Sequence, residues 1–233
     1  MTWSIIARDA SGAFGVAIAT RFFAVGALCP HAESGVGALS TQALVNPLYA
    51  RRGLELLRAG VAAPEVVEQL TAPDEGREHR QVHVIDAAGR IGQRTGAKCI
   101  DWAGAMVGDG FSVAGNMLAN KRVIQETARA YRLSRKHFAE RLIEALEAGE
   151  AAGGDKRGRQ SAALLVYSTE EYPELDLRVD DHTDPLAELR RLYDKAHERF
   201  VPYLKCSPSK ARPWGISDRT RIEEEIARHK KPA

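Results

Sequence analysis

Thr2 has the most pointed chemistry in the chain. A threonine freed at an N-terminus carries nucleophile and base in one residue: its hydroxyl attacks a carbonyl, and its own α-amine, with a reference pKa of about 7.7 to 8, takes the proton. An initiator Met before a small residue is ordinarily removed, so the sequence predicts Thr2 as the mature N-terminus. A second grouping is Gly153-Gly154-Asp155-Lys156-Arg157-Gly158-Arg159-Gln160-Ser161. Its glycines permit close backbone approach, and Lys156, Arg159 and Gln160 offer donors to a substrate carboxylate or phosphate. Asp155, paired with one of these cations, would stay ionised and orient rather than transfer protons. A solvated charged turn is the competing reading.

Arg21 ends an apolar run and precedes Phe22-Phe23, where a guanidinium needs a partner. It serves either a structural ion pair or, near Thr2, a cation that lowers the amine pKa and steadies an oxyanion. Thr41-Gln42 and Asn46 stand where a strand enters a helix, a place that offers backbone N–H groups and side-chain amides to an oxyanion. Helix capping competes for that role, above all at Asn46. Asp180-Asp181-His182 has metal-ligand types, but neighbours on a strand point to opposite faces, so turn and cap roles fit better. Gly108-Asp109-Gly110 has neither GxGxxG nor GKS/T spacing. No metal and no cofactor is implied. Cys29 is an alternative nucleophile, while His31 and His83 read first as ordinary core or surface residues.

The elements that must hold these groups follow from periodicity. Runs 3–8 and 14–20, separated by Asp9-Ala10-Ser11-Gly12, predict an N-terminal hairpin, and Val36 to Ser40 predicts a third strand. A helix runs from Asn46-Pro47 to about Arg58, and another starts at Ala63-Pro64. Gln81 to Ile85 and Arg90 to Thr95 form a second hairpin, with further extended chain at 105–107 and 111–114. Helices over about 121–132 and, capped by Ser134, to Gly149 precede strands at 161–168 and 174–180. A helix capped by Asp184-Pro185 closes the series near Phe200. Hairpins and helix pairs are segregated, which disfavours a parallel doubly wound sheet and predicts two stacked antiparallel sheets between helix layers, an α+β αββα sandwich.

The chain has 233 residues, 44% of them hydrophobic, enough for one sizeable core. Thirty-three Lys+Arg against 31 Asp+Glu give +2, which removes the electrostatic argument for nucleic acid or an anionic membrane as partner and leaves a small molecule. Residues 201–233 hold eight Lys+Arg, four Asp+Glu and four prolines, a +4 appendage beyond a domain spanning 1–200. Three dispersed cysteines build neither a disulfide framework nor a zinc ribbon, no window reaches membrane-span length, and the start MTWSIIARDASG lacks secretory-signal features. The expectation is a cytoplasmic protein with reduced thiols.

The order of small nucleophile, strand, Asp-x-x-Gly turn and apolar strand ending in Thr20-Arg21 resembles the opening of proteasome-type N-terminal-nucleophile hydrolases. ARDASGAFGVAIATRFFAVGA, STQALVNPLY, GDGFSVAGNML, EAGEAAGGDKRGRQSAALLV and YPELDLRVDDH resemble, more closely, the bacterial family numbered 1028 among domains of unknown function, within that superfamily. The likeness spans about residues 1–200 and implies the αββα fold and, by analogy, amide-bond hydrolysis. It makes Thr2 the nucleophile and puts Asn116 beside the terminal amine and Asp155 in the place of an acid. The acid expected near the end of the second strand is replaced by Ala19, Thr20 and Arg21. The lysine expected on the next strand is absent, with His31 and Glu33 nearby, so His31 joins the substrate-side candidates.

The resulting expectation is a hydrolase of a small amide, with Thr2, Arg21, Gln42, Asn46, Asn116 and Asp155 in the catalytic machinery and His31, Lys156, Arg159 and Gln160 reading the substrate. A non-catalytic small-molecule binder on the same frame is the rival, and an assembly module docking through its basic tail is a third reading. A homodimer is expected from the unpaired edges and faces such folds leave.

Overall fold

Strand β1, Thr2–Arg8, sends Trp3, Ile5 and Ala7 to one side and Thr2, Ser4 and Ile6 to the other, and both sides are buried. A strand with two buried faces needs a layer on each. The structure, a computed structural model, describes residues 2–229 and supplies those layers. After β1 come β2 (Phe14–Thr20), β3 (Pro30–Glu33), β4 (Gly37–Ala43), α1 (Leu48–Arg58) and α2 (Ala63–Thr71). Next are β5 (Arg80–Asp86), β6 (Ile91–Thr95), β7 (Gly104–Gly108), β8 (Phe111–Asn116), α3 (Arg122–Leu133) and α4 (Phe138–Ala151). The chain ends with β9 (Ser161–Tyr167), β10 (Leu175–Val179), α5 (Pro185–Glu198), α6 (Phe200–Leu204) and α7 (Arg219–His229).

Six strands form one sheet in the order β10-β9-β2-β1-β8-β7 and four form the other in the order β3-β4-β5-β6. Neighbours pair antiparallel throughout. Helices α3, α4 and α5 cover the outer face of the larger sheet over Trp3, Val113, Ile124, Leu142, Leu164 and Leu189. On the smaller sheet, α1 and α2 pack over Leu39, Leu57, Val66, Leu70 and Val84. Ile6, Phe14, Val16, Ala38 and Ile85 fill one end of the space between the sheets. This is the αββα sandwich that segregated hairpins and helix pairs predict. Close approach of α4 depends on glycine: a Cβ at Gly15 would come within 2.4 Å of Leu142, and one at Gly149 within 2.3 Å of the Thr127 hydroxyl and 2.7 Å of the Trp3 indole nitrogen.

Two local expectations are corrected. Strand β3, PHAE, has too short a pattern to announce itself and pairs with β4 through Pro30↔Ser40 to Glu33↔Gly37. Ser134 closes α3 instead of capping α4, which starts after His137, and the Ser134 hydroxyl turns to Glu144. Over its described residues, the basic C-terminal segment folds back on the body. Cys206 and Ile226 are buried, Arg199 pairs with Glu223 at 2.6 Å, Tyr172 donates to the Pro208 carbonyl at 2.7 Å and Lys210 Nζ to the Thr169 carbonyl at 2.7 Å. Asp184 caps α5 as its sequence predicts, accepting from Ala187 N at 3.2 Å. Among the described residues, no helix is long and apolar enough to cross a membrane.

Candidate active site

Antiparallel pairing gathers strand ends from both sheets at one end of the sandwich. Thr2 starts β1 opposite Asn116, which ends β8, and the Thr2 hydroxyl donates to Thr20 Oγ1 at the end of β2, 3.1 Å away. From the facing sheet come Gln42 and Ala43 at the end of β4, paired with Gln81 and Arg80 at the start of β5. Thr2, Thr20, Gln42, Gln81 and Asn116 are all buried.

Beneath Thr2 the space between the sheets is polar. The Ser4 hydroxyl donates to Gln42 Oε1 at 2.7 Å and lies 2.8 Å from His83 Nε2, while His83 Nδ1 is 3.1 Å from Ser112 Oγ. A neutral imidazole carrying its proton on Nε2 satisfies these contacts, with Ser112 donating to Nδ1. Burial holds His83 neutral, its pKa lowered to about 3. The Gln42 amide donates to Gln81 Oε1 at 2.8 Å and to the Ala114 carbonyl at 3.2 Å, and Asn116 Nδ2 donates to the same Gln81 oxygen at 3.1 Å. Gln81 in turn donates to the Gly115 carbonyl at 2.9 Å and to Thr95 Oγ1 at 2.8 Å. Gln81 thus ties both residues flanking Thr2 to a single anchor.

Two clefts open beside Thr2. The first, about 230 Å³, is lined by Thr2 and Gln42 and by the apolar side chains of Phe22, Phe23, Leu28 and Val45. The second, about 280 Å³, is lined by Asn116 and Met117 and by His79, Lys98, Cys99 and Ile100. Ala43 and Leu44 form the wall common to both. Among the described residues, Ala24, Ala43 and Met117 are the non-glycine residues with left-handed backbone, at φ 52°, 69° and 52°, and all three line these clefts. Such conformations cost about 1–3 kcal/mol each and gather where a site dictates backbone shape.

The predicted site residues divide. Thr2, Gln42 and Asn116 meet at the clefts. Gln42 is held with both amide bonds inward, which gives it a place in the frame and withdraws it from the oxyanion role. Asp155, buried, acts one step away: it accepts from Arg21 N at 2.8 Å and Arg157 N at 2.8 Å and pairs with the Arg157 guanidinium at 3.2 Å, so it clamps the backbone that follows Thr20. Arg21 itself points to solvent and donates to Gln160 Oε1 at 2.5 Å, which relieves the desolvation problem its apolar context suggests. Gln160 also donates to Asp181 at 3.0 Å, Lys156 to the Asp101 carbonyl at 2.8 Å, and Arg159 to Glu150 and Asp184 at 2.5 and 3.2 Å.

None of the four residues Arg21, Lys156, Arg159 and Gln160 lines the clefts beside Thr2. Asn46 caps the start of α1, accepting from Leu48 N at 3.1 Å and donating to Asp74 at 3.2 Å, within a separate surface cleft. His31 sits on β3, 3.1 Å from the Leu28 carbonyl, its pKa lowered mainly by burial. Cys29 lines the first cleft, but burial pushes its thiol up to about 12, which removes the thiolate a nucleophile needs. Removal of Met1 concerns a residue outside the described ones.

Sequence reasoning missed Thr20, Gln81, Ala43, Met117 and Lys98. The alternation that turns Thr2 and Thr20 to one face was legible for Thr20; the others carry no local signal.

The profile of a family of unknown function, DUF1028, matches residues 2–189. The crystal structure of protein SPO2555 from Silicibacter pomeroyi, of the same family, superposes with a TM-score of 0.87 at 32% identity, covering 93% of this chain and 96% of that one. A weaker likeness, to Anbu (ancestral beta-subunit) from Yersinia bercovieri, has a TM-score of 0.41 at 12% identity, covers 83% of this chain and 94% of that one, and carries no weight. No curated protein matches.

Proposed function

The chain belongs to the DUF1028 family, and on its αββα frame we propose an N-terminal-nucleophile amidohydrolase of small amides, with Thr2 as nucleophile after removal of Met1. The observation that carries this reading is the position of Thr2, first residue of a central strand, with its hydroxyl in hydrogen bond to Thr20 at the wall of an apolar cleft.

In the proposed reaction the neutral α-amine of Thr2 takes the hydroxyl proton as Oγ1 bonds to the amide carbon. The carbonyl electron pair moves onto oxygen. When it returns, the C–N bond breaks and the nitrogen leaves with the proton held by the amine. Water then attacks the resulting Thr2 ester, and the same amine carries its proton to Oγ1. Thr20 aims the Thr2 hydroxyl, Asp155 fixes the chain behind Thr20, and Asn116 stands on the neighbouring strand beside the residue that bears the amine. The amine must be neutral to act, so activity rises with pH through its pKa.

A second reading, a non-catalytic binder on the same frame, draws support from the inward commitment of the Gln42 amide and from Ala19 standing where an acid would be. Intact mass and labelling with a β-lactone separate the two. The hydrolase reading expects a protein lacking Met1 and one adduct, lost in Thr2→Ala. A retained Met1, or labelling unchanged in Thr2→Ala, defeats it.

A further inference from the structure

The two clefts differ in chemistry, and Thr2 and its strand partner Asn116 divide them: Thr2 lines one, Asn116 the other. Among the described residues the first cleft has no charged side chain in its lining, and it is walled by Phe22, Phe23, Leu28, Leu44 and Val45. Its volume of about 230 Å³ equals that of roughly eight liquid waters, room for an acyl group of about six to eight heavy atoms. The second contains Lys98 and His79, both exposed. Among the described residues Lys98 makes no ion pair and no side-chain hydrogen bond, unlike the cations around it. Arg80 is spent on Asp74 at 2.7 Å, and Arg94 on Glu78 at 2.5 Å. The acid next to the cleft, Glu78, is also held by Ala97 N at 3.0 Å. Lys98 therefore keeps an unspent positive charge at the mouth. The loop bearing it is tied to the site by the Met117 N–H, which donates to the Ile100 carbonyl at 2.7 Å.

We propose that the paired clefts take an N-acyl amino acid, its acyl chain in the apolar cleft and its carboxylate beside Lys98 and His79. This rests on the hydrolase reading for turnover and names the substrate class of that same site. The amide spans the wall of Ala43 and Leu44 at Thr2. The C–N bond breaks, its carbon gains the oxygen of water by way of the Thr2 ester, and the amino acid leaves with the proton from the Thr2 hydroxyl. Lys98 offers a carboxylate a cation with no other partner among the described residues, whereas the first cleft, walled mainly by apolar side chains, offers an anionic acyl end no charged side chain.

The test uses three probes: N-hexanoylglycine, N-ethylhexanamide, which lacks the carboxylate, and N-hexylsuccinamate, which carries it on the acyl side. Binding is read by titration calorimetry on the full-length Thr2→Ala protein and turnover on wild type. N-hexanoylglycine is expected to bind about tenfold tighter than N-ethylhexanamide, as a charge-assisted contact implies. Lys98→Gln, an exposed change, should reduce that preference to about twofold or less and leave N-ethylhexanamide binding unchanged. Such binding without turnover or Thr2 labelling upholds the cleft assignment and sinks the hydrolase reading. Turnover of hexanoyl amides with no carboxylate preference keeps the hydrolase and overturns the substrate class, and a preference untouched by Lys98→Gln overturns the placement of the carboxylate in the second cleft. Preferred turnover of N-hexylsuccinamate overturns it as well, since the amide would then run the other way.

Discussion

The two faces of strand β1 lie against very different interiors. Toward the helices, Trp3, Ile5 and Ala7 join a continuous apolar core with Leu142, Leu164 and Leu189. Toward the second sheet, Thr2 and Ser4 enter a buried polar block that runs through Gln42, Gln81, His83, Ser112 and Asn116, and only Ile6 meets apolar neighbours. An apolar layer tolerates any partner of suitable shape, whereas buried donors and acceptors are satisfied in one register only, since slipping by a residue would orphan several at once. The helix-facing layer therefore supplies most of the stability. The inter-sheet end specifies how the sheets meet, and so where Thr2 stands.

Substitutions on the two faces should separate these roles. Leu142→Ala, in the helix-facing core, is expected to cost about 2–5 kcal/mol, the largest stability loss, and to lower Tm by roughly 10 °C, with ligand binding intact in the folded fraction. A loss under about 1 kcal/mol would refute the division. Gln81→Ala removes the anchor shared by Gln42 and Asn116 and should cost about 2 kcal/mol in denaturant titration, while weakening the site beyond what lost stability explains.

The third comparison is in pH. The folded pKa of His83, about 3, lies below its unfolded value of about 6.5, so the unfolded chain binds the extra proton. The stabilisation is whole above about pH 6.5, declines as pH falls, and is lost by about pH 3. Near pH 5 the loss is about 1–2 kcal/mol, and His83→Gln should flatten that limb; an unchanged slope between pH 6.5 and 4.5 would show that another group drives it. Arg21→Gln should have the smallest effect, within about 0.5 kcal/mol and with no shift in the pH midpoint of activity, because the guanidinium is exposed and bound to Gln160. A moved midpoint would restore the arginine as a tuner of the Thr2 amine.

Much of this was legible in order along the chain. Period-two runs such as Leu175, Leu177 and Val179 in β10 and period-3.6 runs such as the α5 stripe of Leu186, Leu189 and Tyr193 report which face of each element is buried, because side-chain direction repeats with backbone geometry. Segregated hairpins and helix pairs then leave the αββα stack as the arrangement that covers every apolar face. Asp184 before Pro185 announced its helix by cap chemistry, and Thr2 was marked by its place next to Met1.

Tertiary structure alone decided what surrounds Thr2. Residues 4, 42, 81, 83, 112 and 116 come from four strands in two sheets, and nothing local says that a serine in one will meet a histidine in the other. Arg21 shows the converse. Its apolar neighbours in sequence suggested burial, but it lies one residue past the end of β2, where the chain leaves the sheet and the side chain reaches water. The sequence by itself determined the elements, their buried faces and the layer order, since these follow from local periodicity. The polar block, the two unlike clefts and the unspent charge of Lys98 depended on packing between layers, because a side chain's partner across a sheet interface is set by register and distance, which no run of neighbouring residues encodes.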